Sequence, residues 1–247
     1  MTSLKKYLKK ILIPDLRFKL YQYAGKLEKL GSPTYGGWIV PTDKLHPDAV
    51  CYLAGAGEDI SFDVQLVKRF ACQVFIFDPT PRAKKHFDEV IQSAVTGKRI
   101  QGTTGEYYDI DADSISTLKF ESVGLWKQEE TLRFYAPKDP SHVSHSISNL
   151  QHTGEYFLAP VNRLSKLMKA NEHRQLDILK LDIEGAEFDV IDTILEDEVR
   201  IRILCVEFHK SDEHPHRIQK YLTKLEANEF KVIAREELDF TFISKYY

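Results

Sequence analysis

The stretch Leu176 to Glu187, LDILKLDIEGAE, changes character halfway along. Its first half is an apolar run, broken only by Asp177 and Lys180, of the length and composition of a strand buried on both faces. Its second half carries Asp182, Glu184 and Glu187, with Gly185 allowing the chain to turn into a helix over Glu187 to Leu195. Working outward, the same alternation recurs. Ala49–Ala54 (AVCYLA) reads as a strand followed by a helix over Ser61–Phe70. Gln73–Phe77 (QVFIF) reads as a strand followed by a helix around Arg82–Thr96, and Ile203–Phe208 (ILCVEF) as a strand followed by a helix over His216–Asn228. Phe120–Trp126 and Thr131–Tyr135 are further strand candidates, Arg163–Ala170 is helical, and Phe230–Ala234 with Phe240–Ser244 form a final pair of strands. Strands alternating with helices predict an α/β fold, a mostly parallel sheet with helices on both faces. In such sheets ligands sit beyond the carboxyl ends of the strands, which directs attention to residues 55–59, 78–80, 182–187 and 207–209.

Composition is consistent with one large folded unit. The 247 residues are 43% hydrophobic and 29% charged, enough to build a core without disulfide or metal staples. No apolar run approaches the roughly 20 residues needed to span a bilayer, and no secretory leader pattern follows Met1. Cys51, Cys72 and Cys205 are odd in number and lie in or beside apolar runs, which fits buried thiols and a reducing, cytoplasmic setting. The net charge of −3 divides unevenly: residues 1–30 carry +6 and the remainder −9. An acidic body argues against a nucleic-acid partner.

Gly55-Ala56-Gly57 after the first strand permits a sharp turn and close approach of a ligand. A dinucleotide fingerprint would place a third glycine or alanine where Ile60 stands. Glu58 and Asp59 at the helix entrance repel an anionic pyrophosphate and favour a ligand with cationic parts. S-adenosylmethionine, with a sulfonium and an ammonium, meets that condition. Asp78, at the end of the second strand and followed by Pro79, is placed to accept hydrogen bonds from ribose hydroxyls.

Further along the chain, Asp182 and Glu184 share one face if the strand persists, and Glu207 and His209 do the same on the next strand. The four converge beside the expected cofactor. Three roles compete for them: a general base toward an acceptor hydroxyl, ligands of a hard divalent cation such as Mg or Mn, and hydrogen-bond acceptors for a polyhydroxylated substrate.

Cys51–Pro81 and Leu176–His209, through KLDIEGAEFDVI and FDPTP, resemble the FkbM family of S-adenosylmethionine-dependent methyltransferases. The resemblance implies a Rossmann-like sheet of seven strands with a terminal antiparallel hairpin and methylation of hydroxyl groups, commonly on sugars or natural products. It implies that Gly55, Gly57, Glu58 and Asp78 line the cofactor pocket, with Asp59 and Pro79 beside them, and that Asp182, Glu184 and Glu187 belong to the reaction centre. A more distant resemblance, to metal-dependent sugar O-methyltransferases, implies Asp182, Glu207 and His209 as metal ligands and Glu184 as base. A nucleotide-dependent oxidoreductase or a non-catalytic nucleotide-binding module is the alternative on the same fold.

Several features lie outside these motifs. The loop around His142–Asn149 offers hydroxyls and imidazoles to a substrate, and Trp126 offers a ring for stacking or for the core. His214 and His216 read as a helix-entry loop. Gly31-Ser32-Pro33 and Gly36-Gly37 mark a boundary, dividing the chain into a basic helical extension, residues 1–37, and a catalytic domain, residues 38–247. The extension is read either as packing on the body or on a second subunit, or as a weak peripheral contact with an anionic membrane.

Overall fold

A computed structural model describes residues 16–102, 105, 107–135, 156–209 and 215–247. Four strands form the centre of the molecule: β3 (Val50–Ala54), β4 (Gln73–Phe77), β9 (Leu176–Leu181) and β10 (Ile201–Glu207). They are parallel, in the order β4-β3-β9-β10, with Cys51 opposite both Val74 and Ile178. Their side chains alternate between two cores: Cys51, Leu53, Val74 and Ile76 face one, Tyr52, Ala54, Phe75 and Phe77 the other. Because both faces are covered, these strands are apolar nearly throughout. β5 (Leu118–Glu121) adds beside β4, and the last two strands, β11 (Lys231–Glu236) and β12 (Asp239–Ile243), form an antiparallel hairpin whose second strand inserts between β10 and β11. The sheet therefore has seven strands, ordered β11-β12-β10-β9-β3-β4-β5.

Five helices flank it among the described residues. Buried apolar residues of α1 (Ser61–Phe70) and α2 (Pro81–Thr96) pack into one core, and those of α3 (Leu164–Ala170), α4 (Glu187–Glu196) and α5 (His216–Ala227) into the other. α2 starts cleanly because the Thr80 hydroxyl accepts from the Ala83 amide and Pro81 needs no partner at the first position. The connection from β3 runs to β4 on one side and the chain returns to β9 on the other, so the sheet's switch point lies between β3 and β9. Ligands of such sheets sit at that crevice.

The structure departs from the sequence reading in two places. Phe120–Trp126 is not one strand: β5 ends at Glu121, and Gly124–Leu125 forms β6 of a separate three-stranded sheet with β7 (Glu130–Tyr135) and β8 (Tyr156–Asn162), in the order β6-β8-β7. β8 has no counterpart in the sequence reading. Second, residues 16–37 are not helical. Leu27–Leu30 forms β1 and pairs with β2 (Trp38–Pro41) across the expected boundary at residue 37. The apolar residues Leu30, Trp38 and Val40 of this hairpin join the core that holds α1, which is a stronger determinant than the mixed basic pattern of the segment. The described part of the extension packs on the body, one of the readings its sequence offers: Arg17 and Gln219 exchange two hydrogen bonds, Phe18 packs edge-on against Phe240, and the Tyr21 amide donates to the Val232 carbonyl. The start of the chain, residues 1–15, and the loop around His142–Asn149 lie outside the described residues. No described helix is long and apolar enough to cross a membrane.

Candidate active site

The carboxyl ends of β3, β4, β9 and β10 open into a cavity of about 590 Å³. On its β3–β4 side the chain makes a closed set of hydrogen bonds. The Ala56 and Gly57 amides donate to Asp78 Oδ2 at 2.9 and 3.1 Å, and the Asp59 amide donates to the Ala56 carbonyl at 3.1 Å. The Ile60 amide donates to the Tyr108 hydroxyl at 3.1 Å and the Ser61 amide to Asp59 Oδ1 at 2.8 Å. A dinucleotide's pyrophosphate binds such a turn through free amides at the helix entrance. Here the Ala56, Gly57, Asp59, Ile60 and Ser61 amides are committed within the protein, which weighs against the oxidoreductase reading.

Gly55, Gly57, Asp59, Asp78 and Pro79 line the cavity as the motifs predict. Asp78 is more occupied than expected, because its second oxygen accepts from the Thr80 amide at 2.8 Å and the Thr80 hydroxyl at 2.6 Å. A carboxylate has about four lone-pair positions, so a ribose hydroxyl reaches Asp78 only in exchange for the rotatable Thr80 hydroxyl. Glu58 is a correction. It does not line the cavity, and its two oxygens instead take the Arg82 guanidinium at 2.9 and 3.0 Å. Trp126 is likewise outside the cavity, with its ring N–H donated to Glu130 at 2.9 Å.

On the β9–β10 side all four predicted acceptor residues line the cavity. Their convergence does not come from strand alternation. β9 ends at Leu181, and Glu184 adopts a left-handed backbone (φ 53°), a conformation that costs a non-glycine residue about 1 kcal/mol. That turn brings Glu184 Oε2 to 3.5 Å from His209 Nε2, with Glu207 Oε1 at 3.8 Å and Asp182 Oδ1 at 3.9 Å. The other ring nitrogen, Nδ1, lies 2.6 Å from Glu187 Oε1, which also accepts from the Ile183 and Gly185 amides. Glu187 is fully buried at the start of α4. It therefore fixes the imidazole so that Nε2 faces the three carboxylates.

Lys180 completes the site. The sequence shows a lysine within a strand buried on both faces, a position lysine seldom takes unpaired, and that is the signal by which it is found. Its ammonium donates to the Gly55 carbonyl at 2.6 Å and lies 3.2 Å from Asp182 Oδ2, bridging the two sides of the switch point. Burial works against the Lys180 charge, but Asp182 and Asp63 outweigh it and raise its pKa. Burial likewise opposes the Asp182 charge, yet Lys180 and His209 hold that carboxyl below its ordinary range. Glu207 goes the other way: burial first, and the neighbouring Asp182 charge second, push it up to about 9. Desolvation of His209 is outweighed by Glu184 and Glu187, which raise it well above the usual imidazole value. The surroundings thus favour the ionised form of Asp182 and the protonated form of Glu207, with Lys180 and His209 as the neighbouring cations. Asp239, raised to about 7 chiefly by burial, and Tyr35 also line the cavity, and neither stands out in the sequence.

Strand order, the glycine turn after β3 and the acid at the end of β4 together define a Rossmann-like fold. The methyltransferase FkbM domain matches residues 58–232, more than two thirds of the chain, and the protein belongs to that family of S-adenosylmethionine-dependent enzymes. No curated protein matches the chain. Among solved structures it is similar to the METTL16 MTase domain, with 8% identity over 83% of this chain and 62% of that one (TM-score 0.44). It is also similar to M. capricolum TrmK in complex with S-adenosylhomocysteine, with 8% identity over 83% of this chain and 66% of that one (TM-score 0.39). An rRNA methylase from Streptococcus thermophilus is 9% identical over 80% and 86% of the two chains (TM-score 0.39). The chain spans under two thirds of the METTL16 domain and of TrmK.

Proposed function

We propose that this protein transfers the methyl group of S-adenosylmethionine to a hydroxyl of a sugar, glycan or sugar-containing small molecule. The observation that carries this reading is the convergence of Asp182, Glu184 and Glu207 on His209 in one cavity at the carboxyl ends of β9 and β10. A hydroxyl both donates and accepts. Asp182 takes the proton side of one acceptor hydroxyl, and the Glu207 O–H donates to a neighbouring oxygen, so the pair is complementary to a diol. Methyl transfer is an in-line displacement: the acceptor oxygen forms a bond to the methyl carbon as the carbon–sulfur bond breaks and the electron pair returns to sulfur. The enzyme's main contribution is to hold oxygen, carbon and sulfur close to collinear, with Asp182 taking the hydroxyl proton. His209, fixed by Glu187, positions Glu184 and the carboxylate pair.

Charge supports a neutral acceptor over nucleic acid. Eight of the residues lining the cavity are Asp or Glu, against two lysines. A phosphodiester entering that field meets repulsion, whereas polyols and the sulfonium do not. A cytoplasmic location and a weak membrane contact through the extension remain part of this proposal.

A second reading has its own observation. Asp182, Glu207 and His209 each offer a ligand atom, and the three lie within 4.8 Å of one another. With Nδ1 held by Glu187, Nε2 is directed as in metal-ligating histidines. A Mg or Mn ion there would lower the pKa of an acceptor hydroxyl and orient it, with Glu207 and His209 giving up their protons.

The test is incubation with methyl-labelled S-adenosylmethionine and a panel of glycosides, polyols, amines and RNA, with products located by NMR. Label on a carbohydrate oxygen is expected, and label confined to RNA or to nitrogen would refute the proposal. Full turnover in a verified metal-free sample would remove the metal reading alone.

A further inference from the structure

The turn between β1 and β2, Gly31 to Gly37 (GSPTYGG), belongs to the sequence-defined extension, yet it lies over the cavity and forms one of its walls. Its docking is specific. The Ser32 amide donates to the Ser61 hydroxyl at 2.8 Å, which fastens the turn to the start of α1. Gly36 has φ 72°, and a Cβ there would come within 2.9 Å of the Asp59 carboxyl carbon, so the turn sits against Asp59 with no room for a side chain. This places Tyr35 at the mouth of the site. Of the described large hydrophobic residues with more than half or nearly half of their surface exposed, Tyr35 (55%) alone lines the cavity. Its hydroxyl pKa is raised, first by desolvation and then by the charges of Asp182 and Glu207.

The cofactor's position follows from the strand ends. If Asp78 marks the ribose, at the end of β4, and the Gly55–Gly57 turn the amino-acid portion, the sulfur and its methyl group lie toward the ends of β9 and β10. That is where Asp182 and Glu207 stand, and Tyr35 lines the same cavity from the turn between β1 and β2. We propose that Tyr35 is a cofactor-binding residue that recognises the positive charge of the methylsulfonium through its ring, closing the transfer site opposite Asp182. An aromatic face attracts a cation through its quadrupole, most strongly where water is excluded, and a thioether carries no such charge. Tyr35 therefore discriminates between S-adenosylmethionine and S-adenosylhomocysteine, favouring binding of the substrate form and release of the product.

This inference rests on the S-adenosylmethionine reading, and calorimetry separates the two. The wild-type protein is titrated with S-adenosylmethionine and with S-adenosylhomocysteine, and the same is done for Tyr35→Phe and Tyr35→Leu, with thermal unfolding as the control for folding. Tyr35→Leu is expected to weaken S-adenosylmethionine about 5- to 10-fold and S-adenosylhomocysteine less than about twofold, while Tyr35→Phe keeps the wild-type ratio. Equal losses for both ligands, or no loss for either, overturn the role of Tyr35 and leave the methyltransferase assignment standing. A wild-type protein that binds neither ligand overturns the cofactor reading itself.

Discussion

Gly55 is where the two halves of the site touch, and replacing it by alanine tests that contact. Its φ of 83° lies in the left-handed region, and a Cβ at that position overlaps the Asp182 carbonyl oxygen and falls 2.7 Å from the carbonyl carbon. Ordinary non-bonded carbon atoms sit about 3.5 Å apart, and the obstacle is backbone, which cannot swing aside. The ends of β3 and β9 must separate. Doing so strains the Asp182 amide bond to the Ala54 carbonyl (3.1 Å) and the Lys180 ammonium bond to the Gly55 carbonyl (2.6 Å). The left-handed conformation costs alanine roughly 1–2 kcal/mol, overpacking roughly 1–3, and the weakened hydrogen bonds about 1 more, for a total of about 3–6 kcal/mol. Gly97, at the end of α2, provides the control: its φ is 67° and nothing lies within 4 Å of where a Cβ would stand, so Gly97→Ala carries only the conformational cost of roughly 1–2 kcal/mol. Urea unfolding of both variants, with S-adenosylmethionine titrations alongside, isolates the clash. Gly55→Ala should be less stable than Gly97→Ala by about 2–4 kcal/mol and bind the cofactor more weakly. Equal stability of the two, with unchanged cofactor affinity, would refute the close approach.

Three further outcomes are expected. Burial raises the Asp63 carboxyl to about 7 from an ordinary value of 3.8, so the native state holds a proton there that the unfolded chain has released. Stability from this group therefore falls as pH rises between those values, by roughly 4 kcal/mol, and Asp63→Asn should flatten urea-derived stability over that window, where an unchanged slope counts against it. Glu187→Gln keeps the shape of the buried side chain but removes the charge beside His209 Nδ1, so an NMR titration should show the imidazole pKa fall by about a unit or more, and no fall would mean that Glu187 does not set it. Glu58→Gln should leave the Kd for S-adenosylmethionine within about twofold, since Glu58 is engaged with Arg82, and a tenfold loss would return Glu58 to the cofactor site.

What is legible in the sequence is what short-range pattern encodes. The strands at the centre of the sheet are apolar on both faces, so β3, β4, β9 and β10 announce themselves, and the residues just past their ends follow by position. Asp182, Glu184, Glu207 and His209 are found on that basis, although the argument from alternation fails for Glu184, which reaches the centre through a left-handed turn. What stays hidden depends on contacts distant in sequence. β1 is four residues long and becomes a strand only by pairing with β2, and the Gly31–Gly37 turn looks like a linker until it is seen against α1. Glu58 shows the same limit from the other side. Its place in the motif suggests the cofactor, but Arg82, 24 residues later, takes both of its oxygens.

The split between a basic start and an acidic body acquires a physical meaning in the site. A cavity with eight acidic residues in its lining is unfavourable as it stands, and three arrangements relieve it. Glu207 keeps a proton to about 9 beside the Asp182 charge. Lys180 and His209 lie within the carboxylate cluster as cations. The third comes from the extension: Lys29, on β1, lines the cavity and forms an ion pair with Glu236 at 2.6 Å. An isolated pair this exposed contributes less than about 1 kcal/mol, so its importance lies in placement more than in strength. It joins the hairpin that carries Tyr35 to the hairpin that ends the sheet. The remaining negative excess suits a ligand that brings its own positive charge, and the sulfonium loses that charge when the methyl group leaves. On the proposed reading, the electrostatic field that draws the cofactor in would hold the product less tightly, so the same acidic lining would serve both binding and turnover.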